Sequence, residues 1–306
     1  MRGKILVIRG GAIGDFILTL PAIAALRLHF PEAHLEVLGY PHIAQLALAG
    51  GLVNRVQAIE ARPLAGFFAR GGELVEDMAD YFSEFDLIVS FLYDPDRIFE
   101  TNVRLCSPAQ FIVAPHRPDE EGRMHATEVY LKPLERLAIF DADAAPRLSL
   151  SEETADPRLL AAHPGSGSER KNWPERKWAE LLSRIMETTN YELLLIGGEA
   201  EAERLQRLRE TLPAERVRLV QSVPLVELGR LMQECALFIG HDSGISHLAG
   251  ALGLPGVILW GHSAQHIWRP PSEKMMLLEH PDGLEKLEIK TVLEALKECF
   301  LHMTVG

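Results

Sequence analysis

The sequence predicts an α/β protein built from two doubly wound halves. Apolar runs rich in branched residues alternate with segments of helical periodicity in both halves of the chain, the pattern of parallel βαβ units. The chain has 306 residues, and single hydrophobic cores usually stop growing at about 250 to 300 residues. A composition of 47% hydrophobic and 24% charged residues is that of a globular protein. Two domains are therefore expected.

The first half opens with an apolar run that predicts a strand over residues 4–9, and helical spacing follows over residues 16–29. Further apolar runs predict strands over residues 34–39 and 86–91. Residues 62–83 are predicted to be helical, with ends left undefined by Pro63 and by the glycines at positions 66, 71 and 72.

Residues 141–157 are rich in Asp, Ala, Pro and Ser and lack strong periodicity, so we place the domain boundary there. The predicted domains are an N-terminal one over 1–154, a C-terminal one over 155–283 and a terminal helix over 284–306. The second half repeats the alternation. Its predicted strands are 159–163, 192–196, 217–220, 237–240 and 256–260, and its predicted helices are 174–188, 199–210, 225–235, 245–252 and about 284–303.

Charge and cysteine content narrow the function classes. The formal charge of −12, with most of the acidic excess in the N-terminal half, argues against a nucleic-acid partner. The apolar run near the start is too short for a secretory or membrane-spanning segment. Three widely spaced cysteines without a CxxC motif predict buried thiols. We expect a cytoplasmic protein.

In open α/β sheets, ligands bind beyond the carboxyl ends of the strands. The first such loop, residues 10–15, does not match GxGxxG, and its distinctive member is Asp15. Two interpretations stay open, because Asp15 can cap the following helix or can accept a proton from a substrate hydroxyl. The two roles are compatible.

The loop over residues 163–174 has the composition of an anion site. Ser166, Gly167 and Ser168 offer hydroxyls and accessible amides, and Lys171 supplies positive charge before a predicted helix. The alternative is a flexible surface turn, which is what glycine-serine loops usually are.

The loop over residues 240–247 again joins an apolar strand to a helix. Asp242 or Ser243 would cap that helix, and the amides of Ser243 and Gly244 would face an anion at its positive end. His247 falls on the first turn, where it either bonds a diphosphate or has a structural role.

Glu199 follows another predicted strand, in a Gly197-Gly198-Glu199 turn. An acidic residue there can accept both hydroxyls of a ribose, as in dinucleotide-binding folds. A solvated glutamate favoured by the helix dipole is at least as good an interpretation of the local sequence.

Taken in order and spacing, these segments resemble glycosyltransferase family 9, the ADP-heptose:lipopolysaccharide heptosyltransferases. The resemblance spans nearly the whole chain, and its most specific parts are the HPGSG and DSGISHLAGALGLP segments. The residues that carry it are 5–27 (ILVIRGGAIGDFILTLPAIAALR), 163–178 (HPGSGSERKNWPERKW), 196–199 (IGGE) and 238–261 (FIGHDSGISHLAGALGLPGVILWG).

The resemblance implies two facing Rossmann-like domains of the GT-B type with a deep interdomain cleft, and a C-terminal helix that returns to the N-terminal domain. It implies an inverting, metal-independent transfer without a cofactor, and Asp15 matches the family's proposed general base. Donor-binding residues by position are Ser166, Gly167 and Lys171 in one phosphate-binding loop, Asp242, Ser243, Gly244 and His247 in a second, Glu199 at the ribose and Val223 bordering the adenine.

The expected function is therefore transfer of a heptose or related sugar from an ADP-activated donor to a lipopolysaccharide core or other envelope glycan. That acceptor places the reaction at the cytoplasmic face of the inner membrane and is compatible with peripheral membrane contact. Two alternatives stay open: an enzyme that uses another nucleotide sugar, as a different transferase or an epimerase, and an inactive nucleotide-sugar binding protein. No acceptor-binding residue is assigned, because basic residues would be expected for a phosphorylated acceptor and the N-terminal half is net acidic.

Overall fold

The structure is a computed structural model that describes residues 3–168 and 171–304, the last five of these without their side chains. Its contacts divide the chain into two compact units, Met1–Pro146 and Arg147–Gly306. Each unit is a parallel sheet with helices. The α/β fold class is confirmed.

The sheet of the first unit has the order β3-β2-β1-β4-β5, and every paired strand in it is parallel. Its strands are β1 (Lys4–Arg9), β2 (His34–Gly39), β3 (Arg55–Ala58), β4 (Leu87–Ser90) and β5 (Gln110–Val113). Its helices are α1 (Ile13–His29), α2 (Pro41–Ala49), α3 (Glu76–Ser83), α4 (Ile98–Cys106) and α5 (Ala126–Leu131), with 3-10 turns at Arg62–Phe68 and Lys132–Leu137.

The sheet of the second unit has the order β11-β10-β9-β6-β7-β8, also parallel throughout its described pairs. Its strands are β6 (Asp156–His163), β7 (Glu192–Gly197), β8 (Val217–Gln221), β9 (Cys235–His241), β10 (Gly256–Leu259) and β11 (Met275–Leu278). Its helices are α6 (Glu175–Thr188), α7 (Ala202–Glu210), α8 (Leu225–Gln233), α9 (Gly244–Ala251), α10 (Gln265–Trp268) and α11 (Ile289–Thr304), with 3-10 turns at Glu199–Glu201, Ala214–Arg216 and Leu284–Lys286.

Both sheets contain a point where the strand order reverses. In the first unit the reversal lies between β1 and β4, and in the second it lies between β6 and β9. Loops that leave neighbouring strands in opposite directions open a crevice at the carboxyl ends of the strands, where α/β proteins bind ligands. The loops that matter most for function are therefore those after β1 and β4 and those after β6 and β9.

The unit boundary lies earlier than the predicted end of the first domain at residue 154. Leu148 donates its backbone N–H to Ala251 O at 2.8 Å, and Gln233 Oε1 accepts the N–H of Leu150 at 2.6 Å. These contacts attach the connecting segment to the second unit. The sequence could not show this, because the segment has no periodicity of its own.

Helix α11 packs against the sheet of the second unit, and its predicted contact with the N-terminal domain stays a prediction. Val292, Ala295, Leu296 and Cys299 belong to the core of the second unit, together with Trp178 of α6. These residues recur at helical spacing, so one face of α11 covers that sheet. The part of the helix whose side chains are described thus completes the second unit.

Helix ends also differ from the prediction. Residues 62–83 form two helical segments, because the intervening turn has Gly71 at φ +65°. Helix α1 begins at Ile13, before the predicted start at residue 16.

Across residues 3–168 and 171–304, none of the helices combines the length and the apolar character needed to cross a bilayer.

Candidate functional site

Asp15 is the third residue of α1, so the interpretation of Asp15 as the residue that precedes the helix was wrong in position. The helix is preceded by Ala12, whose methyl side chain cannot cap it. Asp15 Oδ2 instead accepts the backbone N–H of Ala12 at 3.1 Å, which satisfies one exposed amide at the helix start. Gly11 makes the tight entry with φ +99°, a value that only glycine adopts without strain. The Asp15 side chain stays 30% exposed and available to a substrate.

Arg9, the last residue of β1, is buried at 3% exposure beneath this loop. Its Nη2 donates to Asp15 O at 3.2 Å and to the Tyr130 hydroxyl at 3.0 Å, and lies 3.8 Å from Asp15 Oδ1. Its Nη1 donates to His116 O at 2.7 Å and is 3.4 Å from Phe91 O. One permanent cation therefore joins the loops after β1, β4 and β5. This role of Arg9 was not predicted, although an arginine at the end of an otherwise apolar strand indicates a charge with a specific partner.

In the second unit, the predicted phosphate loop after β6 is shaped by its own serine. Ser166 Oγ lies 2.8 Å from Ser168 O and 2.7 Å from Asn172 Oδ1. Gly167 turns the loop with φ +70°, and Gly167 and Ser168 are exposed. The Ser166 hydroxyl is thus engaged within the loop. Glu169 and Arg170, in the same loop, lie outside the described residues.

Lys171 and Asp242 join the two loops at the strand-order reversal of the second sheet. Lys171 Nζ lies 2.6 Å from Asp242 Oδ2. The Asp242 side chain is 7% exposed, while that of Lys171 is 35% exposed. The carboxylate therefore fixes the lysine ammonium group, while about a third of the lysine side chain remains exposed.

Ser243 begins helix α9, as predicted for one of the two candidate caps. Its hydroxyl accepts from Ser246 N at 3.4 Å, and the helix starts at Gly244. The first amides of an α-helix have no partner within the helix and carry its positive dipole end. Ser243 Oγ also lies 3.4 Å from His163 Nδ1, and His247 is buried on the first turn. The geometry suits an anion at this helix start.

The buried side chain of His241 supports the loop after β6. No role was predicted for it from the sequence. The side chain is fully buried, and Nε2 accepts from Trp173 N at 2.8 Å and from Trp178 Nε1 at 3.3 Å. The proton must then sit on Nδ1, which donates to Gly165 O at 3.3 Å. Burial lowers the pKa of His241 to about 3, so the imidazole is neutral.

A second buried histidine and a glutamate complete the cluster. Burial lowers the pKa of His163 to about 4, although the charge of Glu201 acts in the opposite direction. Glu201 Oε2 accepts the Gly198 N–H at 2.9 Å, and its side chain covers Gly165 so closely that a Cβ there would lie 2.5 Å from Glu201 Cγ. Gly165 is thus required for close packing. The glutamate that packs against Gly165 of the loop after β6 is therefore Glu201.

Glu199, predicted at the ribose, is exposed at the start of the turn after β7. Val223, predicted at the adenine, is half-buried in the loop after β8. That loop is tied to β7 because Ser222, at φ +52°, donates its N–H to Gly197 O at 3.1 Å. Both assignments stay predictions.

The structure therefore brings the two predicted phosphate loops of the second unit together and places Asp15 at the corresponding edge of the first sheet. The loops meet through Lys171 and Asp242, and the imidazole of His241, at the end of β9, bonds to Trp173 and Gly165 of the loop after β6. Within residues 3–168 and 171–304, no group of three or more His, Cys, Asp or Glu side chains is arranged to hold a metal ion.

The sequence model of glycosyltransferase family 9 (heptosyltransferase) matches residues 123–296. Among individual proteins, lipopolysaccharide heptosyltransferase 3 of Escherichia coli K12 is 22% identical over 293 residues, which cover 86% of this chain and 84% of that protein. A putative glycosyltransferase of Haemophilus influenzae is 24% identical and covers 98% of this chain and 96% of its own length.

Solved structures show the same fold. The family 9 glycosyltransferase of Veillonella parvula superposes with a TM-score of 0.79 at 19% identity, covering 98% of both chains. The ADP-heptose lipopolysaccharide heptosyltransferase II of E. coli gives 0.77 at 20% identity, over 98% of this chain and 99% of its own. The E. coli heptosyltransferase WaaC, solved with ADP, gives 0.75 at 18% identity, over 97% of this chain and 99% of its own.

Proposed function

The chain belongs to glycosyltransferase family 9, and from that premise we propose that it transfers a heptose from ADP-heptose to a sugar of a lipopolysaccharide core. The proposed transfer inverts the anomeric configuration and needs neither a metal ion nor a cofactor. The acceptor of such a reaction is a membrane glycolipid, so the proposal includes peripheral contact with the cytoplasmic face of the inner membrane.

The observation that carries the proposal is the anion site at the strand-order reversal of the second sheet. The partly exposed side chain of Lys171, the first amides of α9 and the glycine-serine loop after β6 meet there. Such donors suit a diphosphate, because they oppose negative charge with groups that are already oriented. The buried neutral imidazole of His241, at the end of β9, holds the loop after β6 by hydrogen bonds without adding charge.

The chemistry needs one base and one stabilised leaving group. An acceptor hydroxyl oxygen bonds to the anomeric carbon while the bond from that carbon to the diphosphate breaks, and ADP departs. The Asp15 carboxylate takes the proton of the attacking hydroxyl. Attack from the face opposite the diphosphate inverts the configuration. Lys171 and the amides of α9 stabilise the charge that develops on the departing diphosphate, which is the work a metal ion does in other enzymes.

The adenine and the heptose are supported by the names of similar proteins. The E. coli heptosyltransferase WaaC was solved with ADP and with ADP-2-deoxy-2-fluoro heptose. For this chain we propose that Glu199 binds the ribose, that Val223 borders the adenine, and that Ser168 and His247 join the phosphate contacts. These assignments rest on position in the sequence and on the loops described above.

A nucleotide panel tests the donor. Thermal midpoints are measured with ADP, GDP and UDP, because a ligand that binds only the folded state raises stability by mass action. ADP at about 100 times its Kd should stabilise the protein by about 2.7 kcal/mol. A rise with UDP or GDP alone would overturn the adenine assignment, and a flat response to all three would overturn the proposed function.

A transfer assay separates the alternatives. The enzyme is incubated with ADP-heptose and a core oligosaccharide that lacks heptose, with and without EDTA, and the product is examined by NMR. We expect a new glycosidic bond of inverted configuration in both samples. Loss of transfer in EDTA contradicts the metal-independent proposal, conversion of the donor without acceptor indicates an epimerase, and nucleotide binding without product indicates an inactive binding protein.

A further inference from the structure

Three loops of the first unit converge at its strand-order reversal. The segment after β1 carries Asp15 on the first turn of α1, the loop after β4 carries Tyr93, and the loop after β5 carries His116. Because β1, β4 and β5 are adjacent and parallel, their carboxyl ends share one edge of the sheet. A ligand at this edge meets all three loops.

Arg9 holds these three segments together. The guanidinium donates to the backbone carbonyls of Phe91, His116 and Asp15, at 3.4, 2.7 and 3.2 Å. It is also 3% exposed, so these hydrogen bonds are shielded from water, and the bond to His116 O is the shortest of the three. The relative positions of the three loops are thus set by a buried group, as a preorganised binding site requires.

Tyr93 and His116 place two aromatic rings in solvent at this edge. Their ring centroids lie 4.6 Å apart with an interplanar angle of 55°, and Tyr93 is 68% exposed. Partial desolvation and the charges of Arg9 and Arg117 lower the pKa of His116, while the charge of Asp15 acts in the opposite direction, so the neutral imidazole is favoured. The pair therefore offers an uncharged aromatic surface that nothing in the first unit's core requires.

Three arginines of the segments that follow β4 and β5 have an anionic partner. Arg97 Nε lies 2.8 Å from Glu100 Oε2, and Arg104 Nε lies 3.0 Å from Glu100 Oε1. Arg117 is paired with Glu120. A phosphate would compete with these carboxylates for the same guanidinium groups. An uncharged sugar ring, with its apolar C–H face, meets no such competition.

We infer that Tyr93 and His116 form an aromatic platform that binds a neutral sugar ring of the acceptor beside Asp15. The platform orients the ring through its C–H face, which leaves hydroxyls at the ring edge to face the carboxylate. This inference rests on the proposed function, because it assigns the acceptor to the edge that carries the proposed base. It also accounts for acceptor binding by a net acidic half of the chain.

The test is ligand-observed NMR with the wild-type chain and a panel of methyl hexosides together with the heptose-free core oligosaccharide. Saturation transfer should be strongest for C–H protons on one face of a sugar ring. Tyr93→Ala should reduce binding about tenfold, because it removes one of the two aromatic rings that contact the sugar, and tyrosine is enriched among the residues that dominate binding energy. Tyr93→Phe should retain binding because the ring is kept. Phe140→Ala removes an equally exposed aromatic side chain of the same unit and should bind as wild type does.

The outcomes separate this inference from the proposed function. No saturation transfer to any probe, or equal binding by Tyr93→Ala and Phe140→Ala, overturns the platform even where ADP binds and transfer occurs. Sugar binding that depends on Tyr93 in a protein that fails to bind ADP or to transfer a heptose upholds the platform and overturns the proposed function. In an active enzyme, Tyr93→Ala should raise the KM for the acceptor about tenfold and leave the Kd for ADP unchanged.

Discussion

In both units, buried side chains lie beneath the loops at the strand-order reversal. These side chains are charged in the first unit and neutral in the second. In the first unit a permanent cation, Arg9, lies buried under the loop that carries Asp15. In the second unit two neutral histidines, His163 and His241, lie buried under the loops that carry Lys171. Both sets of loops occupy the strand-order reversal of a parallel sheet.

The difference fits the two tasks that the proposed reaction assigns to the units. A base must be held where it can meet the substrate hydroxyl, and the buried guanidinium of Arg9 fixes the segments around the Asp15 carboxylate by hydrogen bonds. A diphosphate site needs local positive charge at its surface, and neutral imidazoles hold its loops by hydrogen bonds without adding the desolvation cost of a buried cation. The same architecture thus presents a carboxylate in one unit and an anion site in the other.

Replacement of the carboxylate in the first unit should have the largest effect. Asp15→Asn keeps an oxygen that can accept the Ala12 N–H but removes the base, so kcat should fall about 10²-fold to 10⁴-fold. The Kd for ADP, which the second unit determines in this proposal, should stay near wild type.

The matched control is Asp77→Asn, which alters an exposed first-turn aspartate of α3. Its transfer rate should equal that of wild type. An Asp15→Asn enzyme with an unchanged kcat would remove Asp15 from the chemistry and leave it with capping alone.

Acid should destabilise the second unit through its neutral histidines. An unfolded histidine binds a proton below about pH 6.5, whereas folded His163 resists protonation until about pH 4 and folded His241 until about pH 3. The stabilisation is therefore complete above pH 6.5 and is lost as the pH falls toward these values. By pH 4 the loss should reach about 3 kcal/mol for each imidazole.

Hydrogen exchange of the amides of β6 and β9 between pH 7 and pH 4, corrected for the intrinsic rate, measures this loss within the second unit. His163→Gln should flatten the dependence, because one of the two titrating groups is removed. The variant His262→Gln, at an exposed position, should retain the wild-type slope. Parallel slopes for both variants would contradict the assignment of the acid sensitivity to His163.

The smallest expected effect concerns Lys171. Lys171→Gln should weaken ADP binding about 10-fold to 100-fold, the range of one charge-assisted hydrogen bond of about 1.5–3 kcal/mol. Isothermal calorimetry measures it, and Lys290→Gln, at an exposed lysine of α11, serves as the control.

The double variant Lys171→Gln with Asp242→Asn separates two explanations. If Lys171 only neutralises the buried Asp242 carboxylate, removal of both charges should restore the affinity for ADP. If Lys171 contacts the diphosphate, the double variant should bind as weakly as the single one, and a restored affinity would end its assignment as a phosphate ligand.

Much of the fold followed from the sequence alone. Strands β1 and β2 have the predicted bounds, because an apolar run that is buried on both faces is a local pattern. Short elements such as β3, β5 and α5 were not predicted. Four to six residues with exposed positions carry too little periodicity to stand out.

The candidate site also has features that the sequence predicted and features that it did not. Composition located the loops of Ser166, Lys171 and Ser243, because glycine, serine and lysine between a strand and a helix are themselves the signal for an anion site. Their assignment as ligands stays a prediction, as does the role of Asp15 as a base. The capping role of Asp15 appears directly in its hydrogen bond to Ala12.

The tertiary structure alone decided which groups hold these loops. Arg9 reaches a carbonyl 107 residues away at His116, and His241 accepts a hydrogen bond from Trp173, 68 residues away. A sequence pattern predicts only which residues are neighbours within a turn of helix or along a strand. Partners at such separations depend on the order of strands in the sheet, which is settled only when the whole core packs. For this protein, the chain determined where its ligand loops begin, and the sheet order decided which buried charge or neutral imidazole supports each one.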